Sequence, residues 1–451
     1  MSNDTPDPSQ NGQTPDGTKK PDLPPGLADD GDDAEDESAS DDASPGTKKP
    51  DLPPGLGGEN GESDEPRTKK PAGPPGAKKP AGPPSPGSDD GDDGPSLPPG
   101  CGGDGAGEAL SREDFQSDQE VRWCPGCGDY AILSTVQRLL PDLGVDKENV
   151  VFVSGIGCAG RFPYYMDTYG IHGIHGRAPA IATGLKTSNP ELDVWVVTGD
   201  GDALSIGGNH LIHVLRRNLD TQILLFNNEI YGLTKGQYSP TSDEGTVSKS
   251  TPHGSVDRPF NPVSVALGAD ASFVARTMDR DPQHMKAMMR AAHAHDGTGF
   301  LEIYQNCNIF NDGAFFEFTE RETKDQRALF LEHGEPMTFD DGRKGVRLDT
   351  LQPEVIDLEN GDWSVDDCLV HDETSPELAT ILGRMSWRDT DDEPIPRLDE
   401  PRLPRPFGVL HRTERPTYAE QVHQQIADVT RQKGDGDLDA LLRSGETWTI
   451  E

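Results

Sequence analysis

Apolar and basic side chains are both in short supply in this chain of 451 residues. Hydrophobic residues make up 32% of it, and 41 Lys and Arg stand against 80 Asp and Glu, a formal net charge of -39. Globular domains run to about 45–50% apolar, so the deficit must be concentrated somewhere, and it lies at the front. Between Met1 and Ala109 there is no Val, Ile, Phe, Trp or Tyr, while the same stretch holds 21 of the 40 prolines and 20 of the 51 glycines. Such a segment cannot bury enough apolar surface to offset the entropy of ordering it. The missing positive charge excludes binding to nucleic acid, which needs basic stripes that release counterions. No apolar run approaches the roughly 18 residues that span a bilayer, and the opening MSNDTPDPSQ lacks the basic and apolar regions of a secretory leader. A cytoplasmic protein with no membrane partner is expected. Six cysteines are too few for a disulfide scaffold and read instead as ligands, catalysts or buried hydrophobes.

The front segment does contain an imperfect repeat: TKKPDLPPGL runs from Thr18 to Leu27 and again from Thr47 to Leu56, with shorter echoes from Thr68 and Ala77. Acidic blocks such as Asp29 to Asp42 separate the copies. The spacing shrinks along the segment, which excludes a solenoid, and residues 1–110 are expected to form a disordered Pro/Gly/Asp-rich tail. From residue 111 the texture changes. Asp129 to Leu140, Ala178 to Lys186, Ile206 to Arg217 and Pro282 to His295 have helical spacing, and VVFVS (Val150 to Ser154), VWVVT (Val194 to Thr198), ILLF (Ile223 to Phe226) and FLEIY (Phe300 to Tyr304) read as buried strands. The alternation predicts an α/β fold over 111–320, a doubly wound parallel sheet with its ligand at the carboxyl ends of the strands. Residues 321–451, with runs such as DDEPIPRLDEPRLPRP, are expected to form an irregular acidic arm with one helix over Pro416 to Gln432.

Gly199-Asp200-Gly201-Asp202 ends the strand VWVVT, and Asn227-Asn228 ends the next one, ILLF. Neighbouring parallel strands would deliver Asp200 and Asn228 to one edge. A carboxylate, an amide oxygen and a backbone carbonyl suit Mg²⁺, which keeps diphosphate oxygens in its remaining positions, while Gly199 and Gly201 let backbone approach a phosphate. The spacing resembles the diphosphate motif of thiamine diphosphate enzymes. That resemblance implies metal ligation by Asp200, Asn228 and the carbonyl of Ile230, with Gly201, Asp202, Gly232 and Leu233 along the cofactor.

Cys124-Pro-Gly-Cys127 is a CxxC, Cys158 follows a strand, and Cys307 ends the FLEIYQN segment. A redox pair would need only two cysteines, and a zinc site would usually present a second close pair. Four thiolates converging at the strand ends could hold a [4Fe–4S] cluster. Cys101 and Cys368 read as incidental.

WCPGCGDYAIL, GIGCAGRFPYY, IHGIHGRAPAIATGLK, VVTGDGDALSIGGNH, LFNNEIYGLTKGQYSPTS and EIYQNCNIFNDGAF, in this order, resemble the beta subunit of 2-oxoacid:ferredoxin oxidoreductases over about Asp118 to Arg321. The resemblance implies thiamine diphosphate, Mg²⁺ and one [4Fe–4S] cluster on Cys124, Cys127, Cys158 and Cys307, with Ile156, Gly157, Cys158 and Ala159 beside the cofactor. It implies CoA-dependent oxidative decarboxylation of a 2-oxoacid, with coenzyme A taking the acyl group and ferredoxin the electrons. It also places the Glu that activates the cofactor on a separate alpha subunit, in a heterodimer or heterotetramer, so that this chain alone would be inactive. His175 is a candidate for the diphosphate or for charge on the substrate. Arg161 is a candidate for a bidentate grip on a distal carboxylate, which favours 2-oxoglutarate over pyruvate. The runner-up is a thiamine-dependent decarboxylase or synthase without electron transfer, and a non-catalytic iron–sulfur protein is a third reading.

Two other patterns are declined. GIGCAG over Gly155 to Gly160 matches the dinucleotide fingerprint formally but lacks the acid about 20 residues on. Asp435 to Glu446 has calcium-loop spacing with Ala440 where the turn needs Gly. Finally, residues 1–110 carry 24 acidic and 9 basic side chains, leaving 56 and 32 on the remainder. The folded part is thus acidic in its own right, which fits a halophilic protein whose self-repulsion is screened at high salt.

Overall fold

The computed structural model describes residues 110–385, 402–445 and 448, all within the unit Gly100–Glu451. Apart from Leu110, the expected tail lies outside the described residues, as does Cys101.

The strands are β1 (Val150–Ser154), β2 (Tyr169–His172), β3 (Asp193–Gly199), β4 (Thr221–Asn227), the short pair β5 (Ile230–Tyr231) and β6 (Gln237–Tyr238), β7 (Phe273–Met278), β8 (Thr298–Tyr304), β9 (Ala328–Phe330), a meander of β10 (Thr338–Phe339), β11 (Lys344–Asp349) and β12 (Gln352–Asp357), and β13 (Arg405–Arg412). The main sheet runs β2-β1-β3-β4-β8-β7-β13-β9. Pairing is parallel from β2 to β7 and antiparallel between β7 and β13. The runs VVFVS, TQILLFN and TGFLEIY are buried along their whole length, as expected of parallel strands covered on both faces.

Alternation along those strands splits the interior into two cores. Val151, Val153, Val196, Ile223 and Phe300 face one side, packed on Ala178 and Ala182 of α2 (Ala178–Ser188), Leu211 and Leu215 of α4 (Gly208–Arg217) and Val263 of α5 (Pro262–Gly268). Phe152, Trp195, Leu224, Phe226 and Leu301 face the other, against Ile132 and Leu139 of α1 (Asp129–Leu143) and Met285 and Met289 of α6 (Pro282–His293). The sheet is doubly wound, as the alternation of elements predicted.

The arm from residue 321 departs from expectation. It is not irregular: β13 extends the main sheet beside β7, β9 pairs with β13, and β10 to β12 form their own antiparallel sheet. Residues 386–401, most of the proline-rich run, lie outside the described residues. A buried ion pair explains why the arm docks. Arg276 on β7 and Glu302 on β8 are both fully buried and meet at 2.7 Å. Glu302 also accepts from Asn227 Nδ2 at 2.8 Å, and Arg276 Nη1 donates to the carbonyl of Pro406 at 3.2 Å. Buried charges must be paired and hydrogen-bonded, and β13 supplies one of those partners. The helix expected near Pro416 spans Tyr418–Lys433. Among the described residues no helix is long and apolar enough to cross a membrane.

Candidate functional site

Strand register builds the site. Gly199 pairs with Phe226 and Asn227 with Tyr304, so the segments following β3, β4 and β8 emerge at one edge, next to the loop after β1. Ile156, Gly157, Cys158, Ala159, His175, Gly199, Asp200, Gly201, Asp202, Asn228, Ile230, Gly232 and Leu233 all line a single cleft open to solvent. Sequence reasoning missed Asp129, Phe226, Tyr231 and Thr234, which share the lining. It also began the helix after β3 near Ile206, whereas a short α3 starts at Asp200 (Asp200–Leu204).

The two acids of the Gly-Asp-Gly-Asp turn have different surroundings. Asp202 Oδ1 accepts from the backbone N–H groups of Ile156 (3.1 Å) and Gly176 (3.0 Å) and from His175 Nδ1 (2.9 Å), and Oδ2 accepts from Thr198 Oγ1 (2.8 Å). It ties three loops together, and a Cβ at Gly155 would overlap its carboxylate. Asp202 therefore borders the cleft as a brace, and with Nδ1 bonded to it His175 keeps Nε2 for another partner. Asp200 is buried and accepts from Thr241 Oγ1 at 2.6 Å. Burial pushes its carboxyl above the usual range, opposed by hydrogen bonds from Ser239, Thr241 and the backbone of Gly201 and Asn228. A dry carboxylate of this kind is stabilised in its ionised form by a cation. Asn228 Oδ1 accepts from the Ile230 N–H at 3.2 Å across a turn in which Glu229 takes a positive φ of 55°, a conformation that carries strain in a residue with a Cβ. Tyr231 donates its hydroxyl to the Gly201 carbonyl at 3.0 Å, its ring occupying the space a side chain at Gly201 would need.

The cysteines gather against the same cleft. A Cβ on Gly232 would lie 3.6 Å from the sulfurs of both Cys158 and Cys307. The CxxC turn is stitched to the loop after β8, with Gly128 N–H donating to Asn306 O at 3.1 Å and Asn308 Nδ2 to Pro125 O at 2.7 Å. Trp123 Nε1 donates to Cys158 O at 2.8 Å. Burial, and then the nearby Asp129, push the Cys127 thiol up, with Cys158 and Cys307 adding to the effect. The same two causes raise Cys158 to about 12, and Cys124 and Cys307 also act on it. Cys307 is raised by burial, while the N–H groups of Phe310, Ile309 and Asn311 turn toward its sulfur and oppose the shift. Asp129 itself is driven up to about 7 by burial, and its Oδ2 has no hydrogen-bond partner. Free thiols at Cys124, Cys127, Cys158 and Cys307, the last two meeting at Gly232 and Cys307 with N–H donors at its sulfur, are a donor set that fits an iron–sulfur cluster. Among the described residues no three His, Cys, Asp or Glu side chains close on a single metal ion; the expected Mg²⁺ set has one carboxylate only, and a four-iron cluster would spread its four thiolates over four iron atoms.

Arg161 is not brought into the lining. Its Nη1 donates to the Arg122 carbonyl at 2.7 Å, and its charge acts on Cys158, drawing that thiol down. Cys368 is buried under β11 against Gly345, away from the other thiols.

Residues 155–303, which run from the loop after β1 to the end of β8, match the family described as thiamine pyrophosphate enzyme, C-terminal TPP binding domain. The chain is 49% identical over 362 residues to 2-oxoglutarate oxidoreductase subunit KorB of Mycobacterium tuberculosis, covering 79% of this chain and 93% of that one. It is 45% identical over 192 residues to the 2-oxoacid:ferredoxin oxidoreductase subunit beta of a Sulfolobus species, 42% of this chain and 63% of the relative. Among solved structures, a 2-oxoglutarate:ferredoxin oxidoreductase from Magnetococcus marinus, with 2-oxoglutarate, coenzyme A and succinyl-CoA bound, superimposes with a TM-score of 0.57 at 29% identity, over 75% of this chain and 97% of that one.

Proposed function

The chain belongs to the beta subunits of the 2-oxoacid:ferredoxin oxidoreductases, and from that membership we propose that, with an alpha subunit, it converts 2-oxoglutarate and coenzyme A to succinyl-CoA and CO₂ and passes the electrons to ferredoxin. One observation carries the reading: the cleft that collects the diphosphate-side residues borders the cysteine group at Gly232. Thiamine diphosphate supplies an electron sink for loss of CO₂, and a [4Fe–4S] cluster accepts electrons singly. In this reading Asp200, Asn228 and the Ile230 carbonyl hold Mg²⁺, and Cys124, Cys127, Cys158 and Cys307 hold the cluster. Gly199, Gly201, Gly232 and Leu233 lie along the cofactor with Ile156 to Ala159 across from them. Asp202 fixes the His175 ring so that Nε2 is available to the diphosphate or substrate. Arg161, outside the cleft lining and bonded to the Arg122 carbonyl, is assigned the distal carboxylate as the guanidinium three residues from the lining residue Cys158, and residues 111–320 carry every one of these groups.

The test uses the complex purified with its alpha subunit. Reduction of ferredoxin or methyl viologen is measured with a panel of 2-oxoacids and coenzyme A, beside thiamine diphosphate and iron content. We expect 2-oxoglutarate to be preferred, and Arg161→Leu to lower kcat/KM for 2-oxoglutarate at least tenfold more than for pyruvate, the scale of losing one charge-assisted pair. A pyruvate preference would replace the substrate assignment; turnover without viologen reduction would favour a decarboxylase. The 56 acidic against 32 basic residues beyond residue 110 support a surface adapted to high salt, and activity that peaks in dilute buffer would overturn that.

A further inference from the structure

Gln305 follows the last residue of β8 and is 1% exposed. Its backbone N–H donates to the Asn227 carbonyl at 2.9 Å, which sets the residue beside the Asn227-Asn228 turn. Its side chain bridges the two halves of the site. Oε1 accepts from Asn228 Nδ2 at 2.7 Å, and Nε2 donates to Asn306 O at 2.8 Å and to Cys127 Sγ at 3.2 Å. Both amide orientations are forced. The Ile230 N–H can only donate, so it fixes the oxygen of Asn228; the NH₂ of Asn228 then faces Gln305, whose oxygen must turn to it; and the remaining Gln305 NH₂ finds a carbonyl and a sulfur, both acceptors.

We propose that Gln305 is a positioning residue that couples the cation-holding turn to the iron–sulfur cluster, by donating an N–H···S bond to Cys127 that strengthens when Asn228 engages the cation. The proposal rests on the reading above, in which Asn228 holds Mg²⁺ and Cys127 the cluster. An N–H bond to a ligand sulfur stabilises the reduced, more negative cluster and raises its potential. A cation on Asn228 Oδ1 makes the amide N–H groups better donors, and successive hydrogen bonds polarise one another. Filling the diphosphate side would thereby make the cluster a better electron acceptor.

The experiment is a potentiometric titration of the cluster by EPR in the whole complex, with and without thiamine diphosphate and Mg²⁺, for the wild type and Gln305→Met, beside iron, sulfide and thiamine content. The expected result is a rise in midpoint potential on loading the wild type, a lower starting potential in Gln305→Met at full iron content, and loss of the loading shift in that variant. An unchanged potential in an iron-replete Gln305→Met protein would overturn the proposal. Should the variant lose its iron, the wild type still decides: no loading shift overturns the coupling, and a shift supports it. Iron-free wild-type complex would be a failure of the underlying reading, recognised by its own measurement, and would remove the proposal with it.

Discussion

The oxygen-rich side of the cleft is built from the ends of two neighbouring strands, whereas the sulfur side draws on three separated stretches of chain. On the oxygen side, the register of β3 against β4 alone brings Asp200 and Asn228 to one level, and hydroxyls of Ser239 and Thr241 sit against Asp200. On the sulfur side, position depends on stitches between loops: Gly128 to Asn306, Asn308 to Pro125 and Trp123 to Cys158. The electrostatics differ as well. Asp200 has donors that partly offset its burial, while the thiols face Asp129, so that forming thiolates there is unfavourable without a cation to neutralise them, iron in the proposed reading. One side is set by the sheet; the other is completed by its ligand.

The sharpest way to break this comparison is to remove one ligand from each side. In the purified complex, Cys307→Ser is expected to lose iron and at least 10³-fold in viologen reduction while keeping thiamine diphosphate. Asp200→Asn is expected to lose thiamine diphosphate and a similar factor in activity while keeping iron. These factors are on the order of those lost when an essential group is removed. Loss of both groups in both variants would show that the two sides form one cooperative unit.

A second contrast lies within the Gly-Asp-Gly-Asp turn. Asp202→Ala removes the acceptor of two backbone N–H groups, an imidazole N–H and a hydroxyl, of which the Gly176 N–H and the Thr198 hydroxyl are buried, and should destabilise the complex by about 3 kcal/mol, since each unsatisfied buried donor costs about 1–3 kcal/mol. Asp200→Ala removes a carboxyl that burial already disfavours, and its hydroxyl donors keep other partners, Thr241 at Asn227 Oδ1 and Ser239 at Thr241 and Ser242, so it should cost less in the cofactor-free protein. Urea unfolding without thiamine diphosphate compares them, and equal losses would remove the distinction between brace and ligand.

How much of this was legible follows the same division. The oxygen side could be read because VWVVT and ILLF are unbroken apolar runs with polar turns directly after them, and burial on both faces leaves just that trace. β7 was not read, because FVARTM carries Arg276 at a position that is fully buried only through Glu302. That partner lies 26 positions away, and local patterning does not register it. β13 was missed for a related reason: RPFGVLHR follows a proline-rich run, and its Pro406 carbonyl is recruited by the same arginine. Cys158 and Cys307 could be suspected from their places after strands and Cys124 and Cys127 from their CxxC spacing, and the family motifs gave the four a shared role. Gln305 lies within the EIYQNC motif two residues before Cys307, but its contact with Cys127 spans 178 positions and the motif gives it no role of its own.

The smallest expected effect lies away from the cleft, in the residues that precede β7 and β8. His295 is 4% exposed and shares a 2.8 Å hydrogen bond with Ser272 Oγ. Burial, reinforced by Arg412, Arg415 and His411 and opposed by Asp296, holds its pKa down to about 4. The unfolded chain would titrate near 6.5. Between those values the unfolded state binds a proton that the folded state refuses, so the stabilising difference is complete above about 6.5. It is lost as pH falls toward 4 and loses nothing more below that. His295→Gln keeps a hydrogen-bonding side chain and has no proton to gain. It should shrink the drop in unfolding free energy between pH 7 and pH 5, measured by urea unfolding, by on the order of 1 kcal/mol, with thiamine diphosphate and iron content unaltered. A wild-type-minus-variant difference that stays flat across that range would mean that His295 does not contribute to acid sensitivity. A change in iron or thiamine content would mean instead that this end of the sheet and the cleft are less independent than the geometry indicates.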